Sequence, residues 1–174
     1  MGLPHTQTTP DYVWCAYTAK ITKFATMMHR QGHEVYLYAG TENTAECTEH
    51  IEVVTEEERE KWFGHYDWDR NVFNGFQHDA PWWAHMNLSA LEAIQERCEP
   101  GDFLGIIAGI CQKPLADALP NLLPVEWGIG YSGVWAPYRV YESYAWMHHL
   151  AAKRPTDDVR FFDTVIPNFF DPTV

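Results

Sequence analysis

Residues 103–109 of the chain read FLGIIAG, and this run decides the fold class. The turn residues EPGD precede it at 99–102, and a helical pattern of apolar residues ends just before that turn. A short continuous apolar run between turn signals is typical of a strand that is covered on both faces. Strands of this kind belong to parallel sheets with helices on either side, so the run predicts an α/β protein.

The first part of the chain predicts one helix followed by two strands. From Asp11 to Gln31 apolar residues recur every three or four positions, which is one face of an amphipathic helix. Gly32 ends this pattern, and residues 33–40, HEVYLYAG, carry the apolar and aromatic residues that favour a strand. A second short strand is predicted in HIEVVT at 50–55.

Two further helices are predicted before the FLGIIAG strand. Thr55 and Glu58 have the spacing of a capping box, in which each side chain binds the other residue's main-chain N–H at the start of a helix. Pro81 starts the next helix, whose apolar residues step by three and four up to Cys98. Residues 63–80 between these helices are aromatic without a clear period, which predicts an irregular segment.

The rest of the chain continues to alternate between helix and strand. KPLADAL at 113–119 and YRVYESYAWMHHL at 138–150 predict helices, and LPVEWGIG at 123–130 and FFDTVIP at 161–167 predict strands. This alternation predicts a doubly wound, mostly parallel, Rossmann-like sheet. In such folds ligands bind beyond the carboxyl ends of the strands.

Composition limits the classes of function. Of the charged residues 24 are acidic and 12 are basic, and the net charge of −12 disfavours binding to nucleic acid or to an anionic membrane surface. No apolar run reaches the ~18 residues of a membrane span, and no basic and apolar leader indicates secretion, so a cytoplasmic protein is predicted. The cysteines are scattered without a C-x-x-C pair, which favours free thiols over disulfides or a zinc site. They are Cys15, Cys47, Cys98 and Cys111.

The opening residues 2–9, GLPHTQTT, precede the first helix and occupy the position of a loop between strand and helix. The free N–H groups at a helix start attract an anion, and the hydroxyls of Thr6, Thr8 and Thr9 add donors. The alternative is that Thr8 or Thr9 caps the helix. No G-x-G-x-x-G or Walker motif is present, which weakens a dinucleotide or P-loop interpretation.

Several stretches together resemble a known family. Residues 2–40, from GLPHTQTT to the GHEV strand, are similar to the first loop, first helix and second strand of the two-domain GT-B glycosyltransferases of the retaining family 4 type. VIPNFFDP at 165–172 resembles the family's hinge into its second domain. The likeness covers essentially the whole chain and includes three further stretches. These are QKPLADALP at 112–120, VEWGIGYSG at 125–133 and YRVYESYAWMH at 138–148.

The resemblance implies a nucleotide-sugar-dependent transferase whose N-terminal half binds the sugar acceptor. Residues 1–166 would form this Rossmann-like domain, and 167–174 would begin the linker to a C-terminal donor domain that is absent here. The family's paired-glutamate donor motif lies in that second domain, so the chain alone is expected to bind donor weakly and to catalyse little or nothing. No metal or other cofactor is expected, because the nucleotide-sugar is a substrate.

The sequence departs from the family in two places. Family members have an apolar first strand in the middle of the sheet, whereas here only residues 1–4 precede the loop. Main-chain groups that lose their hydrogen-bond partners in a sheet cost about 1 to 3 kcal/mol each. We therefore expect another segment, another chain copy or the partner domain to take the place of the missing strand, or the sheet to rearrange. A homo-oligomer formed through the incomplete sheet is therefore possible. Second, Gly128, Ile129 and Gly130 stand where many members have a catalytic His, so that role is not carried over.

Two groups of residues are candidates for the site. Gly128, Gly130 and Gly133 flank Tyr131 at the end of a predicted strand, where they serve either the close approach of a sugar or phosphate, or a tight turn. Glu126 in that strand either accepts hydrogen bonds from sugar hydroxyls or pairs with Arg139.

The opening loop supplies the second group. His5 is the candidate catalytic residue, because an imidazole donates to a hydroxyl or to a leaving phosphate near neutral pH. Thr6, Gln7 and Thr8 are candidates for substrate binding, and His5 and Tyr131 are expected on the same side of the molecule. Two alternatives remain open at this point. One is a non-catalytic sugar- or nucleotide-binding or assembly module, and the other is a metal-dependent hydrolase built from histidines.

Overall fold

A computed structural model describes residues 1–67, 77–154 and 160–168. Within these residues six strands form two parallel sheets that are accompanied by helices, which confirms the predicted α/β class. The first sheet pairs β1 (Tyr36–Gly40) with β2 (Glu49–Val54). The second sheet has the order β3-β4-β5-β6, and every pair in it is parallel. Its strands are β3 (Phe103–Ile106), β4 (Leu123–Ile129), β5 (Tyr138–Tyr141) and β6 (Thr164–Val165).

The described residues contain five α-helices, of which the first precedes β1 and the others lie between later strands. They are α1 (Ala16–Arg30), α2 (Glu56–Phe63), α3 (Pro81–Gln95), α4 (Lys113–Asp117) and α5 (Tyr144–Ala151). The predicted helix starts at Thr55 and Pro81 are confirmed, and the Thr55–Glu58 capping box is present in both directions. Part of the segment predicted to be irregular, residues 68–76, lies outside the described residues. None of the described helices combines the length and the apolar character needed to cross a bilayer.

Several element predictions were wrong in their bounds. The strands predicted at 103–109 and 161–167 are limited to Phe103–Ile106 and Thr164–Val165. The first helix starts at Ala16 and not at Asp11, because Pro10–Tyr12 forms a separate 3-10 turn. Residues 138–150 are not one helix, since β5 occupies the first part of this stretch. Ser143 then accepts a hydrogen bond from Trp146 N at 3.2 Å and caps α5. The physical reason is that Arg139 and Tyr141 of β5 alternate inward, which is the period of a strand.

The opening segment lies between the two sheets. Gly2 N donates to Tyr38 O of β1 at 2.7 Å, and the Met1 amine donates to Gly105 O of β3 at 3.3 Å. Further along, Thr8 and Asn43 form a parallel bridge. The strands therefore follow the order β2, β1, opening segment, β3, β4, β5, β6, in which the opening segment stands at the place of a central strand.

Gln112 completes the connection between the opening segment and β3. Its Oε1 accepts from Ile107 N and Ala108 N, both at 3.0 Å, and its Nε2 donates to Gly2 O at 3.0 Å. A fully buried side-chain amide thus replaces part of a missing strand ladder. Several outcomes were expected for the place of the missing first strand. The structure shows a sheet divided in two, with residues 1–3 and Gln112 bridging the division.

The main core holds α3 and β3 together. Trp83, Met86 and Ala90 of α3 are fully buried in the same cluster as Ile106 and Ile107. Large apolar side chains of this kind stabilise a fold by about 1.5 to 3 kcal/mol each when fully buried.

Helix α1 crosses the second sheet near the carboxyl end of β4. The rings of Phe24 and Trp127 stack there with centroids 4.4 Å apart. The start of α1 therefore lies beside the loops that follow β4 and β5, and this arrangement positions the candidate site.

Candidate functional site

The opening segment is buried throughout residues 2–9. The Thr6 hydroxyl lies 2.7 Å from the Thr18 hydroxyl of α1. The Thr8 hydroxyl donates to Asn43 Oδ1 at 2.7 Å. These two candidate residues therefore hold the segment to α1 and to the turn after β1.

Gln7 is similarly engaged inside the protein. Its Oε1 accepts from Glu42 N at 2.9 Å, and its Nε2 donates to Glu56 Oε2. Gly40 makes room for this side chain, because a Cβ at Gly40 would overlap the Gln7 amide. The Gln7 amide thus joins the ends of β1 and the start of α2.

His5 lies in an apolar environment, with only 4% of its surface exposed. Its Nε2 is 3.7 Å from Cys15 Sγ, and the rings of Trp14 and Phe63 are 6.4 and 6.0 Å away. Burial, and to a smaller extent the nearby Arg59 guanidinium, lowers the pKa of His5 to about 3. The imidazole is therefore neutral at pH 7, where it is a poor proton acceptor but still a hydrogen-bond donor.

Arg59 is a buried cation whose charge acts on His5, and a carboxylate pairs with it. Glu56 accepts from its Nε at 2.8 Å and from its Nη2 at 2.7 Å, which is a bidentate pair. The hydrogen bond from Arg59 is the main cause of the lowered pKa of Glu56. The guanidinium also lies over the Tyr12 ring at 5.9 Å. This cluster supports the loop around His5.

The glycine-rich loop after β4 accommodates two charged side chains of the protein itself. Gly128 has a φ of 61°, and a Cβ there would lie 3.1 Å from Lys20 Cδ. A Cβ at Gly130 would overlap the Glu142 carboxylate. These two glycines therefore allow Lys20 and Glu142 to approach the main chain closely. Gly133, with a φ of 84°, forms the turn that follows.

Lys20 and Glu142 form a partly buried ion pair at the carboxyl edge of the second sheet. Lys20 Nζ lies 2.5 Å from Glu142 Oε2, and the two side chains are 13% and 20% exposed. Lys20 also donates to Gly128 O at 3.0 Å, and Asn168 Nδ2 donates to Glu142 Oε2 at 3.1 Å. We call Lys20, Glu142, Asn168 and the Gly128 carbonyl the Lys20 cluster.

Lys20 is not among the site residues predicted from the sequence. A signal was available, because Lys20 lies on α1 between Tyr17 and Ile21, on the side that faces the sheet. A lysine within an apolar stripe indicates a partner in the interior or a ligand. The partner itself, Glu142, is 122 positions away, and nothing in the local pattern connects the two residues.

Glu126 is fully buried and fixes the loop of residues 131–136. Its Oε2 accepts from Trp135 N and Ala136 N, both at 2.7 Å, and its Oε1 accepts from the Tyr131 hydroxyl at 3.2 Å. Burial raises the pKa of Glu126 above its ordinary value, and these hydrogen bonds oppose the rise. Arg139 holds the same loop, because its Nε donates to Ala136 O at 2.8 Å.

His5 and Tyr131 lie near the same end of α1. His5 contacts Cys15, the residue that precedes α1, and Tyr131 contacts Tyr17 in the first turn with ring centroids 5.9 Å apart. The opening segment and the glycine-rich loop therefore both contact the first turns of α1. The Tyr131 hydroxyl is buried against Glu126, and burial raises its pKa.

Comparison of the chain with protein-family models, with curated proteins and with solved structures finds no match. Its function is therefore inferred from its own residues. In residues 1–67, 77–154 and 160–168 no three His, Cys, Asp or Glu side chains come together as metal ligands.

Proposed function

We propose that this chain is the acceptor-side, N-terminal half of a GT-B, family 4-like retaining glycosyltransferase that uses a nucleotide-sugar donor. The observation that carries the proposal is that the opening segment, the glycine-rich loop and the Lys20 cluster all contact the first turns of α1. This place is the carboxyl edge of a parallel sheet, where α/β folds bind their ligands.

The Lys20 cluster supplies the polar groups that such a ligand needs. Lys20 is a cation with part of its side chain exposed, and it suits an anionic or hydroxyl-rich ligand. Glu142 and the Gly128 carbonyl are acceptors for sugar hydroxyls. Asn168 belongs to the VIPNFFDP stretch that resembles the family's hinge, so the cluster lies where a second domain would join.

In this proposal His5 has a restricted role. A neutral imidazole with a pKa of about 3 donates a hydrogen bond at pH 7, but it does not act as a strong base. Thr6, Gln7 and Thr8 hold the segment that carries His5 in place. Glu126 and Tyr131 fix the shape of the opposite loop.

The partners follow from the same proposal. A sugar acceptor binds to this domain, formed by residues 1–166, and a nucleotide-sugar binds mainly to a donor domain joined after residue 167 or supplied by another chain. The proposal includes a cytoplasmic location, where nucleotide-sugars are made. It requires no metal.

Ligand binding by the chain itself tests the proposal. Amide-detected NMR of the labelled chain is recorded with glucose, galactose, mannose and N-acetylglucosamine, and with the UDP- and GDP-sugars. We expect free sugars at millimolar concentration to shift the amides of residues 128–133 and of the first turns of α1. Release of nucleoside diphosphate from the donors is expected to stay at background with this chain alone.

Variants make the test specific. Lys20→Met should reduce the sugar-induced shifts at least several-fold, whereas Lys23→Met, an exposed lysine on the same helix, should leave them unchanged. Shifts that are equal in both variants, or no shift with any of these sugars and nucleotide-sugars, would overturn the proposal.

A further inference from the structure

Two aromatic rings near the start of α1 form one flat surface. The rings of Trp14 and Tyr66 are inclined by only 12°, and Trp14 Nε1 donates to the Tyr66 hydroxyl at 2.5 Å. Nearly parallel planes that hold atoms 2.5 Å apart are closer than the about 3.5 Å of a carbon contact, so the rings do not overlap. They lie side by side, with centroids 6.3 Å apart. We call this pair the Trp14–Tyr66 platform.

The platform has an inner and an outer face. The buried Tyr12 ring stacks on the inner face of Tyr66, with centroids 4.1 Å apart. The Arg59 guanidinium in turn lies over Tyr12. The outer face points away from Tyr12, and Trp14 is 41% exposed while its neighbour Val13 is 57% exposed. A flat apolar surface is therefore open to a ligand.

Hydrogen bonds fix the two rings in this arrangement. The Tyr66 hydroxyl accepts from Trp14 Nε1 and donates to Asp11 O. The polar ends of both side chains thus have partners within the protein, and the ring faces are left for a ligand. Because the rings are already held in place, binding of a flat ligand costs little side-chain entropy.

The surroundings of the platform are acidic. Asp11 is exposed, and burial, followed by the charges of Asp11 and Asp67, raises the pKa of the Tyr66 hydroxyl. With a net charge of −12 on the chain, these carboxylates disfavour nucleotides and other anions that stack on aromatic rings. Carboxylates accept hydrogen bonds from hydroxyl groups. The platform therefore suits a neutral ligand with an apolar face and hydroxyl groups at its edge.

We propose that the Trp14–Tyr66 platform binds a neutral oligosaccharide of β-linked pyranoses with equatorial hydroxyl groups, such as a chain of glucose units. The faces of these sugars carry only C–H groups, which contact the negative face of an aromatic ring. Neighbouring units of the extended chain lie over the two rings, and their hydroxyl groups face Asp11. This inference does not rest on the proposed function, because the platform contains no residue of the Lys20 cluster or of the glycine-rich loop.

A soluble oligosaccharide tests the proposal. Cellotetraose is titrated into the labelled full chain, and NMR follows the Trp14 indole N–H signal and the amides of Val13 and Tyr66. The Trp14 signal is assigned by its loss in Trp14→Phe. We expect all three signals to shift at millimolar cellotetraose. Maltotetraose is the control, and it should bind several-fold more weakly because its α-linked chain curls and does not lie flat on two rings.

Variants make the test specific to the platform. Trp14→Ala should weaken cellotetraose binding by about tenfold or more, because one of the two stacking rings is lost. Trp14→Phe keeps a ring and should restore part of the affinity. Phe161→Ala is the matched control, since it removes an exposed aromatic ring just before β6, and it should leave Kd unchanged. Amide spectra that stay unchanged away from the platform show that each variant is folded.

Lys20→Met separates this inference from the proposed function. It should leave cellotetraose binding at the platform unchanged, whereas the proposed function requires it to reduce the sugar-induced shifts at residues 128–133. Loss of the platform signals with intact shifts at 128–133 would therefore overturn this inference alone.

Three results would overturn the inference. One is the absence of any shift at Trp14, Val13 and Tyr66 up to the solubility limit of cellotetraose. Another is an equal Kd for the unmodified chain and Trp14→Ala. The third is tighter binding of uridine monophosphate than of cellotetraose at these signals, which would mean that the platform stacks a nucleobase.

Discussion

Lys20 of α1 and Glu142 at the end of β5 meet as an ion pair of 2.5 Å, although 122 positions separate them in the chain. The pair connects the helix that follows the opening segment to the sheet beyond β4. Gly128 and Gly130 permit this contact, since side chains at either position would occupy the space of the pair. The candidate site is therefore built around a charge pair that the protein supplies itself.

Removal of one partner should cost more than removal of both. We expect Lys20→Met to lower the free energy of unfolding by about 2 kcal/mol, because Glu142 is left partly buried without its cation. The double variant Lys20→Met/Glu142→Gln should recover at least half of that loss. Urea unfolding measures both values. Loss of the exposed Lys113–Asp117 pair by Lys113→Met is the control, with an expected cost of about 0.5 kcal/mol or less.

The buried His5 should make the fold sensitive to acid. Its pKa is about 3 in the folded chain against about 6.5 when unfolded, so the unfolded chain binds the extra proton between these values. The contribution of the neutral His5 to the free energy of unfolding is complete above pH 6.5 and is lost as the pH falls toward 3. Between pH 7 and pH 5 we expect a loss of about 2 kcal/mol from His5.

The variant His5→Gln tests this assignment. It should flatten the dependence of the unfolding free energy on pH between 7 and 5, as measured by urea unfolding at several pH values. The same substitution at the exposed His33 controls for the general loss of an imidazole. An unchanged pH dependence in His5→Gln would show that the pKa of His5 is the same in the folded and the unfolded chain.

The loss of stability caused by a substitution at Gly130 should depend on the side chain at position 142. Gly130→Ala places a methyl group in the space of the Glu142 carboxylate, and we expect a loss of about 2 kcal/mol as the ion pair is displaced. In the background of Glu142→Ala the same substitution should cost less than 1 kcal/mol, since the space is then free. Equal costs in the two backgrounds, measured by thermal and urea unfolding, would contradict the contact.

Local signals were sufficient for most of the secondary structure. The Thr55–Glu58 box and Pro81 predicted the starts of two helices correctly, because caps are determined by neighbouring residues. The FLGIIAG run marked β3, since a strand buried on both faces needs no polar alternation. The YRVY stretch at 138–141 was assigned to a helix because its residues precede a strongly helical pattern without a Gly or Pro between them.

Contacts between residues that are far apart in the sequence cannot be predicted from these local patterns. Glu126 was considered as a partner of Arg139 or of a sugar, but its carboxylate binds the main chain at Trp135 and Ala136. The loop conformation that creates this contact depends on the glycines and on the burial of Tyr131 together. The partner of Lys20 has the same origin, since the sheet order and not the spacing in the sequence brings Glu142 to it.

Substitution of Gln112 tests how the two parts of the divided sheet are held together. Its amide makes three hydrogen bonds, to Ile107 N, Ala108 N and Gly2 O, and all of these groups are inside the protein. Gln112→Met keeps the size of the side chain but leaves the three main-chain groups unpaired, so we expect a loss of about 3 kcal/mol or more.

Gln112→Glu separates the two sides of this connection. A carboxylate still accepts from Ile107 N and Ala108 N, but it cannot donate to Gly2 O when ionised. Exchange of the Gly2 amide, which donates to Tyr38 O, should therefore become faster while the amides of β3 and β4 remain protected. If the Gly2 amide and the amides of β3 and β4 lost protection together, the opening segment and the second sheet would unfold as one cooperative unit. That result would contradict separate stabilisation of the opening segment and the second sheet.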